Sequence, residues 1–166
     1  MPRVLIVAYG NPLRGDDALA WRAADELERK FSGSDVELLC LHQLAPELAE
    51  TVSRSEAVIF VDAASADAGG NQQPGEVRCE EISLQTSKAQ SGPTRFSHQF
   101  SPAIVVALAH QLYRSNPHAF SVTLTGQCFD PGESLSPVVA ESLPALVARI
   151  EALVQQFLSP QRLREA

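Results

Sequence analysis

The sequence predicts a three-layer α/β/α sandwich whose central sheet is twisted, mainly parallel and built from about five strands. Two observations favour this fold. Short runs rich in Val and Ile alternate along the chain with segments whose apolar residues recur at helical spacing. These runs are nearly continuous in apolar residues, which is typical of parallel strands that helices cover on both faces. Such an alternation indicates helices packed on both sides of one sheet.

Five segments have the length and composition of strands. Four of them are short and apolar, at residues 3–8, 36–41, 57–61 and 120–125. The fifth, at residues 76–82, is charged enough to lie at an edge of the sheet, where charged side chains discourage pairing with another chain.

Four segments between or after these strands indicate helices. Apolar residues recur every four positions over residues 16–31, which predicts an amphipathic helix, and a shorter helix is predicted over residues 46–54. Two Ser-Pro pairs, at 101–102 and 136–137, each place a capping hydroxyl before a proline suited to the first helical position. A third and a fourth helix are therefore predicted to begin at these pairs.

Length and cysteine content predict a single domain over residues 1–158, followed by a tail at 159–166. A chain of 166 residues is long enough to bury a full core. Its three cysteines are widely spaced and form no C-x-x-C pair, which argues against a disulfide framework and a structural zinc site. With no signal-peptide pattern and no membrane-length apolar run, we expect a soluble, cytoplasmic and monomeric protein.

The charge of the chain limits its partners. The formal net charge is −7, and the Lys and Arg residues are scattered along the sequence. Nucleic-acid binding requires a clustered basic face, so we expect no nucleic-acid partner.

The stretch YGNPLRGDD after the first strand indicates a loop that binds a cation. Gly10 and Gly15 have the spacing of a phosphate-binding loop, but that loop continues with Lys and Ser or Thr. Here Asp16 and Asp17 follow, and two carboxylates would repel a phosphate. The loop is therefore expected to serve a positive group or a metal.

Three of these polar residues are expected to meet at one edge of the sheet. Ligands of open parallel sheets bind beyond the carboxyl ends of the strands. Asp17 follows the first strand, Asp62 closes the third, and His98 precedes the third helix. If the strands are ordered 2-1-3, Asp17 and Asp62 converge. Two carboxylates and an imidazole are suitable ligands for zinc or nickel.

Some candidates have structural explanations as well. Asp16 or Asp17 can cap the first helix, and we assign that role to Asp16 and the functional role to Asp17. His42, at the end of the second strand, competes with His98 as the imidazole. Cys128 follows the last strand, where a nucleophile is conceivable, but a small buried residue is the favoured interpretation.

With these motifs identified, the sequence resembles the hydrogenase maturation proteases over nearly its whole length. The resemblance is carried by four stretches in order, namely YGNPLRGDD, VDAA, SHQFSP and GESLSPVVAESLPALV. Ala18 and Ala20 depart from it, because the family has glycine at these positions. So does the loop Gly126-Gln127-Cys128, where the family has Gly-Ile or Gly-Val.

The resemblance implies an endopeptidase that removes the C-terminal extension of a nickel-iron hydrogenase large-subunit precursor after nickel insertion. The metal-binding trio of the family falls on Asp17, Asp62 and His98. Nickel is then presented by the precursor, and zinc or cadmium can substitute for it in preference to magnesium. Asp17 and Asp62 are also the expected catalytic residues, with water attacking the scissile carbonyl assisted by a carboxylate and the metal.

Two other functions fit parts of the pattern. Receiver domains that accept a phosphoryl group also carry acidic residues after the first and third strands, but they need a Lys after the last strand, and the chain has only Lys30 and Lys88. The second alternative hypothesis is a metal-dependent hydrolase of small molecules on the same scaffold.

Overall fold

A computed structural model of the chain describes residues 2–66, 69–84 and 100–159. These residues form a five-stranded sheet between two layers of helices, which confirms the predicted fold class. The strands are β1 Val4–Tyr9, β2 Val36–Leu41, β3 Ala57–Ala64, β4 Val77–Ile82 and β5 His118–Thr125. The α-helices are α1 Leu19–Lys30, α2 Leu48–Ser53, α3 Pro102–Tyr113 and α4 Pro137–Leu158.

The strand order is β2-β1-β3-β5-β4, so β1 and β3 are neighbours, as the 2-1-3 order requires. Strands β2, β1, β3 and β5 are parallel, and β4 joins β5 in the antiparallel direction at the edge. The four parallel strands therefore end at one edge of the sheet, called the carboxyl edge below. The charged segment predicted at a sheet edge is β4, which is the outermost strand next to β5.

Two apolar clusters hold the helices on the sheet. One cluster packs α1 and α4 on one face, with Leu27 and Ile150 among its fully buried members. The other packs α2 and α3 on the opposite face, with Val52 and Val105 buried. The pleat of a strand sends successive side chains to opposite faces, which is why β1 supplies Ile6 to the first cluster and Val7 to the second.

Three elements differ from the sequence prediction. The first helix was expected from residue 16, but Gly15–Ala18 form a 3-10 turn and α1 begins at Leu19. Strand β3 continues two residues beyond Asp62. Strand β5, predicted over residues 120–125, begins two residues earlier, at His118, whose ring centroid lies 5.4 Å from that of Phe157.

None of the helices in the described part of the chain is long and apolar enough to span a membrane.

Candidate active site

The loop after β1 is shaped by backbone hydrogen bonds that bring Asp17 to the carboxyl edge. The Asn11 amide donates to the Asp17 carboxylate at 2.7 Å, and the Trp21 indole donates to the Gly10 carbonyl at 3.0 Å. Asn11 also tightens the turn, since its side-chain oxygen accepts from the Leu13 amide at 2.9 Å. The Asp17 carboxylate is thereby folded back over the loop and held in one position.

Asp62 lies next to Tyr9 on the same face of the sheet. Val7 of β1 is paired with Phe60 of β3, so the residues two positions further on are side by side. The Tyr9 hydroxyl interacts with the Asp62 carboxylate, and this interaction favours the ionised form and so lowers the pKa of Asp62. Asp62 is partly buried at this position, which the strand itself fixes.

The charge of Asp17 affects the protonation of Asp62. Burial, and then the charge of Asp17, raise the pKa of Asp62 to about 7. Hydrogen bonds from the Ala63 amide and the Tyr9 hydroxyl favour the ionised form but do not cancel this rise. Burial and the charge of Asp62 also raise the pKa of Tyr9, so the phenol stays protonated and acts as a donor.

Asp17 and Asp62 line one cavity of about 560 Å³ at the carboxyl edge. Tyr9, Arg14 and His42 supply further polar groups to its wall. The apolar part of the wall comes from Leu44, Pro46, Phe100 and Phe129. A cavity with a few convergent polar groups and a carboxyl of perturbed pKa has the features of a catalytic or binding site.

Asp16 has a structural role, but not the predicted one of capping α1. Its side chain is fully buried and accepts four hydrogen bonds, from the Gln127 amide at 2.7 Å, the Cys128 amide at 2.8 Å, and the Ser136 amide and hydroxyl at 2.7 and 2.8 Å. Burial alone would raise the pKa of Asp16, but these hydrogen bonds outweigh it and hold the pKa below its usual value. Through these hydrogen bonds the carboxylate connects the loop between β5 and α4 to the turn that carries Asp17.

Two further predictions about this loop are wrong in detail. Ser136 is the N-cap residue of α4, but its hydroxyl donates to Asp16 rather than capping the helix. Cys128 was expected to be buried, and it is exposed, with its sulfur 3.5 Å from an Asp130 oxygen. The backbone of Cys128, which bonds Asp16 in both directions, is the part of this residue that the fold uses.

The imidazole of the predicted trio is His98, which lies outside the described residues. His42, the competing candidate, lines the cavity and packs edge-on against Trp21, with ring centroids 5.5 Å apart. Across residues 2–66, 69–84 and 100–159, no three His, Cys, Asp or Glu side chains are grouped closely enough to hold a metal. His42 therefore does not complete a three-ligand site with Asp17 and Asp62 in this arrangement.

The position of Lys30 does not support the receiver-domain alternative. That reading requires a Lys at the carboxyl edge, beside the acidic residues. Lys30 ends α1, at the opposite edge of the sheet, and pairs with Glu151 of α4 at 3.1 Å. Lys88 lies outside the described residues.

The overall fold is shared with solved structures of hydrogenase maturation endopeptidases. The chain is 20% identical to the hydrogenase maturating endopeptidase HybD from E. coli, with a TM-score of 0.71 and 93% of each chain covered. It is 22% identical to hydrogenase 2 maturation peptidase from a Thaumarchaeota archaeon, with a TM-score of 0.66 over 91% of this chain and 97% of that one. The chain has the fold of the hydrogenase maturation endopeptidases.

A third structure, the NiFe hydrogenase maturation protease HybD from Thermococcus kodakarensis, is 23% identical, with a TM-score of 0.62 over 92% of this chain and 99% of that one. No protein-family model matches the chain, and no curated protein shows significant similarity to it. The maturation-endopeptidase fold is thus established by structure, whereas an activity depends on the side chains at the site.

The two alanines that replace family glycines are compatible with this fold. Ala18 and Ala20 are both buried, and the second packs in the cluster beneath α1 and α4. Their methyl groups therefore fill the core under the acidic loop.

Gly10 is a residue of the acidic loop that tolerates no side chain. Its φ is 145°, and an added Cβ would lie 2.3 Å from the Asp17 carbonyl oxygen and 3.1 Å from a carboxylate oxygen of the same residue. We expect Gly10→Ala to displace Asp17 and to lower the activity proposed below by about tenfold or more. The matched control is Gly33→Ala, because a Cβ at Gly33 meets nothing within 4 Å. Melting temperatures show whether both variants are folded. Equal activity of the two folded variants would contradict this prediction.

Proposed function

We propose that this chain is an endopeptidase that removes the C-terminal extension of a nickel-iron hydrogenase large-subunit precursor after nickel has been inserted. The observation that carries the proposal is the convergence of Asp17 and Asp62 in one cavity at the carboxyl edge. The shared fold supports it, since the proteins with that fold include hydrogenase maturation endopeptidases.

The chemistry of the acidic pair favours a cationic substrate group. Two carboxylates close enough for one to raise the pKa of the other repel an anion and attract a divalent cation. Carboxylate oxygens, joined by an imidazole, suit nickel, zinc or cadmium better than magnesium. In this proposal the nickel belongs to the precursor, and Asp17, Asp62 and His98 contact it there.

A cation between the carboxylates also changes the protonation of Asp62. In the free protein the charge of Asp17 helps to keep a proton on Asp62 near neutral pH. A bound cation offsets that repulsion, so Asp62 loses its proton and becomes able to accept one. Nickel on the precursor thus brings Asp62 to the ionised form that can act as a base.

Asp62 then serves as the proton acceptor for the attacking water in this mechanism. It lies on a buried strand, which fixes its direction into the cavity. The precursor's nickel supplies Lewis-acid polarisation of the scissile carbonyl. The Tyr9 hydroxyl favours the ionised form of Asp62, and the backbone amide of Asn11 holds the Asp17 carboxylate in place.

The direct test compares nickel-free and nickel-loaded forms of the cognate precursor. We expect the protein to cleave the nickel-loaded form at one peptide bond and the nickel-free form at least about a hundredfold more slowly, since general-base and metal assistance each contribute that much or more. The mass of the released peptide identifies the bond. Equal cleavage of both forms would show that the acidic loop recognises peptide and not nickel.

A further inference from the structure

The two outermost strands of the sheet differ in how well their side chains prevent pairing with another chain. Strands β2 and β4 are the edge strands. Strand β4 carries Arg78, Glu80 and Glu81, whereas Glu37 is the sole charged residue of β2, whose sequence is VELLCL. An edge strand with few charges and no proline readily pairs with another extended chain.

The backbone of β2 offers alternate residues to such a partner. The carbonyls of Asp35 and Leu41 both accept hydrogen bonds from the β1 side, the first from Val4 and the second from Gly10. The backbone N–H and C=O groups of successive residues in a strand point to opposite sides. Those of the odd-numbered residues of β2 therefore point to β1, and those of the even-numbered residues point outward. The outward amide and carbonyl groups therefore include those of Leu38 and Cys40, and β2 pairs with β1 alone among the described strands.

This open edge leads directly into the candidate active site. The residues that follow β2, His42, Gln43 and Leu44, line the cavity that holds Asp17 and Asp62. An extended peptide lying along β2 would span about 20 Å, since each residue of a strand advances roughly 3.3 Å. A peptide bond in the cavity and a strand on the edge of β2 can thus belong to one continuous chain.

We propose that the outer edge of β2 binds the C-terminal extension of the precursor as an added antiparallel strand. This inference rests on the proposed function, which places the nickel-bearing body of the precursor at the cavity. The chain beyond the scissile bond then leaves the cavity and runs back along β2, opposite to the direction of that strand. Backbone hydrogen bonds supply the affinity, as in other cases of strand addition.

Charge at this edge favours a basic extension. Asp25 and Glu28 of α1 are exposed, and after burial their negative charges raise the pKa of the Cys40 thiol of β2. Glu37 adds a carboxylate on the strand itself. An extension with Lys or Arg at positions facing α1 is therefore expected to bind more tightly than an acidic one.

The decisive probe is a synthetic peptide with the sequence of the extension, tested with and without N-methyl groups. In an antiparallel pair, alternate residues of the peptide donate to β2. N-methylation of one alternate set is expected to weaken binding about tenfold or more, and methylation of the other set to leave it nearly unchanged. The unmethylated peptide should also slow hydrogen exchange at the Leu38 and Cys40 amides. Equal effects of the two sets, or the absence of binding, would overturn the proposal.

A matched pair of variants tests the same surface in the full reaction. Cys40→Pro removes an outward amide of β2, and Cys79→Pro makes the same change on the opposite edge strand, β4. Both cysteines are half-buried against the same cluster, and proline is tolerated at edge positions. With both variants folded by circular dichroism, Cys40→Pro should raise the KM for nickel-loaded precursor about tenfold at nearly constant kcat, and Cys79→Pro should not.

Other outcomes separate this surface from the proposed function. Normal KM in the folded Cys40→Pro variant would overturn the docking proposal while leaving the peptidase intact. Failure of the parent protein to cleave any nickel-loaded precursor would overturn the peptidase, and the docking proposal would fall with it if the extension peptide also failed to bind. Protection of Leu38 and Cys40 that rises with protein concentration, without peptide, would identify the edge as a self-association surface and overturn the proposal.

Discussion

Replacing Asp62 by asparagine is expected to lower the cleavage of nickel-loaded precursor by at least about a hundredfold while the protein stays folded. Asparagine keeps the shape of the side chain but carries no charge. It therefore holds a cation less tightly and cannot accept a proton from the attacking water. The hydrogen-bonding hydroxyl of Tyr9 and the strand position remain in the variant, so the effect reports the charge rather than the packing.

Cleavage in this experiment is followed by the mass of the released peptide, with Cys128→Ala as control. Cys128 is exposed, and we expect its replacement to leave cleavage close to that of the parent protein. Full cleavage by Asp62→Asn would remove the acidic pair from the mechanism. Loss of cleavage by a folded Cys128→Ala variant would instead indicate a thiol protease.

The same substitution is expected to stabilise the protein above neutral pH. The pKa of Asp62 is raised to about 7 in the folded state. An unfolded aspartate loses its proton near pH 4, so between about pH 4 and 7 unfolding releases a proton. The contribution of Asp62 to the free energy of unfolding therefore falls with rising pH, by up to roughly 4 kcal/mol in total. The Asp62→Asn variant does not lose stability in this way. Urea unfolding should therefore show that its free energy of unfolding, relative to that of the parent, is higher at pH 8 than at pH 5.

The fold was predictable because its signals are local and agree with one another. Each parallel strand is a short apolar run, and the Ser101-Pro102 pair marks the start of α3, where the Ser101 side chain accepts from the Ile104 amide at 3.3 Å. The late start of α1 was not predictable in this way. The apolar spacing extends to the residues of the 3-10 turn, but the conformation of Gly15–Ala18 follows from hydrogen bonds to the distant loop at residues 128–132.

The candidate site was predictable only where topology alone decides position. Asp17 and Asp62 end up in one cavity because β1 and β3 are neighbours, and strand order can be argued from sequence. Tyr9 was missed, because its place beside Asp62 depends on register and on which face of β1 it occupies. Asp16 was assigned to the wrong partner because its four donors lie more than a hundred residues away. Nothing local in the sequence distinguishes such an acceptor from a helix cap.

Replacing Asp16 by alanine is expected to destabilise the protein by several kcal/mol. The substitution leaves the amides of Gln127, Cys128 and Ser136 without their acceptor in a region where the carboxylate is fully buried. Each buried donor without a partner costs about 1 to 3 kcal/mol. Asp16 also places a negative charge at the N-terminus of α4, where it stabilises the helix by about 0.3 to 1 kcal/mol.

The contribution of Asp16 to the free energy of unfolding should depend on pH in the opposite sense to the contribution of Asp62. Because the folded-state pKa of Asp16 is lowered, its contribution is present above the unfolded value near 4 and disappears as the pH falls through the folded value. Urea unfolding of Asp16→Ala at pH 7 should therefore show the full deficit, and the deficit should shrink in acid. The control is Asp130→Ala, an exposed carboxylate of the same loop, for which we expect a change within about 0.5 kcal/mol. Equal stability of the two variants at pH 7 would mean that the loop between β5 and α4 keeps its shape without Asp16.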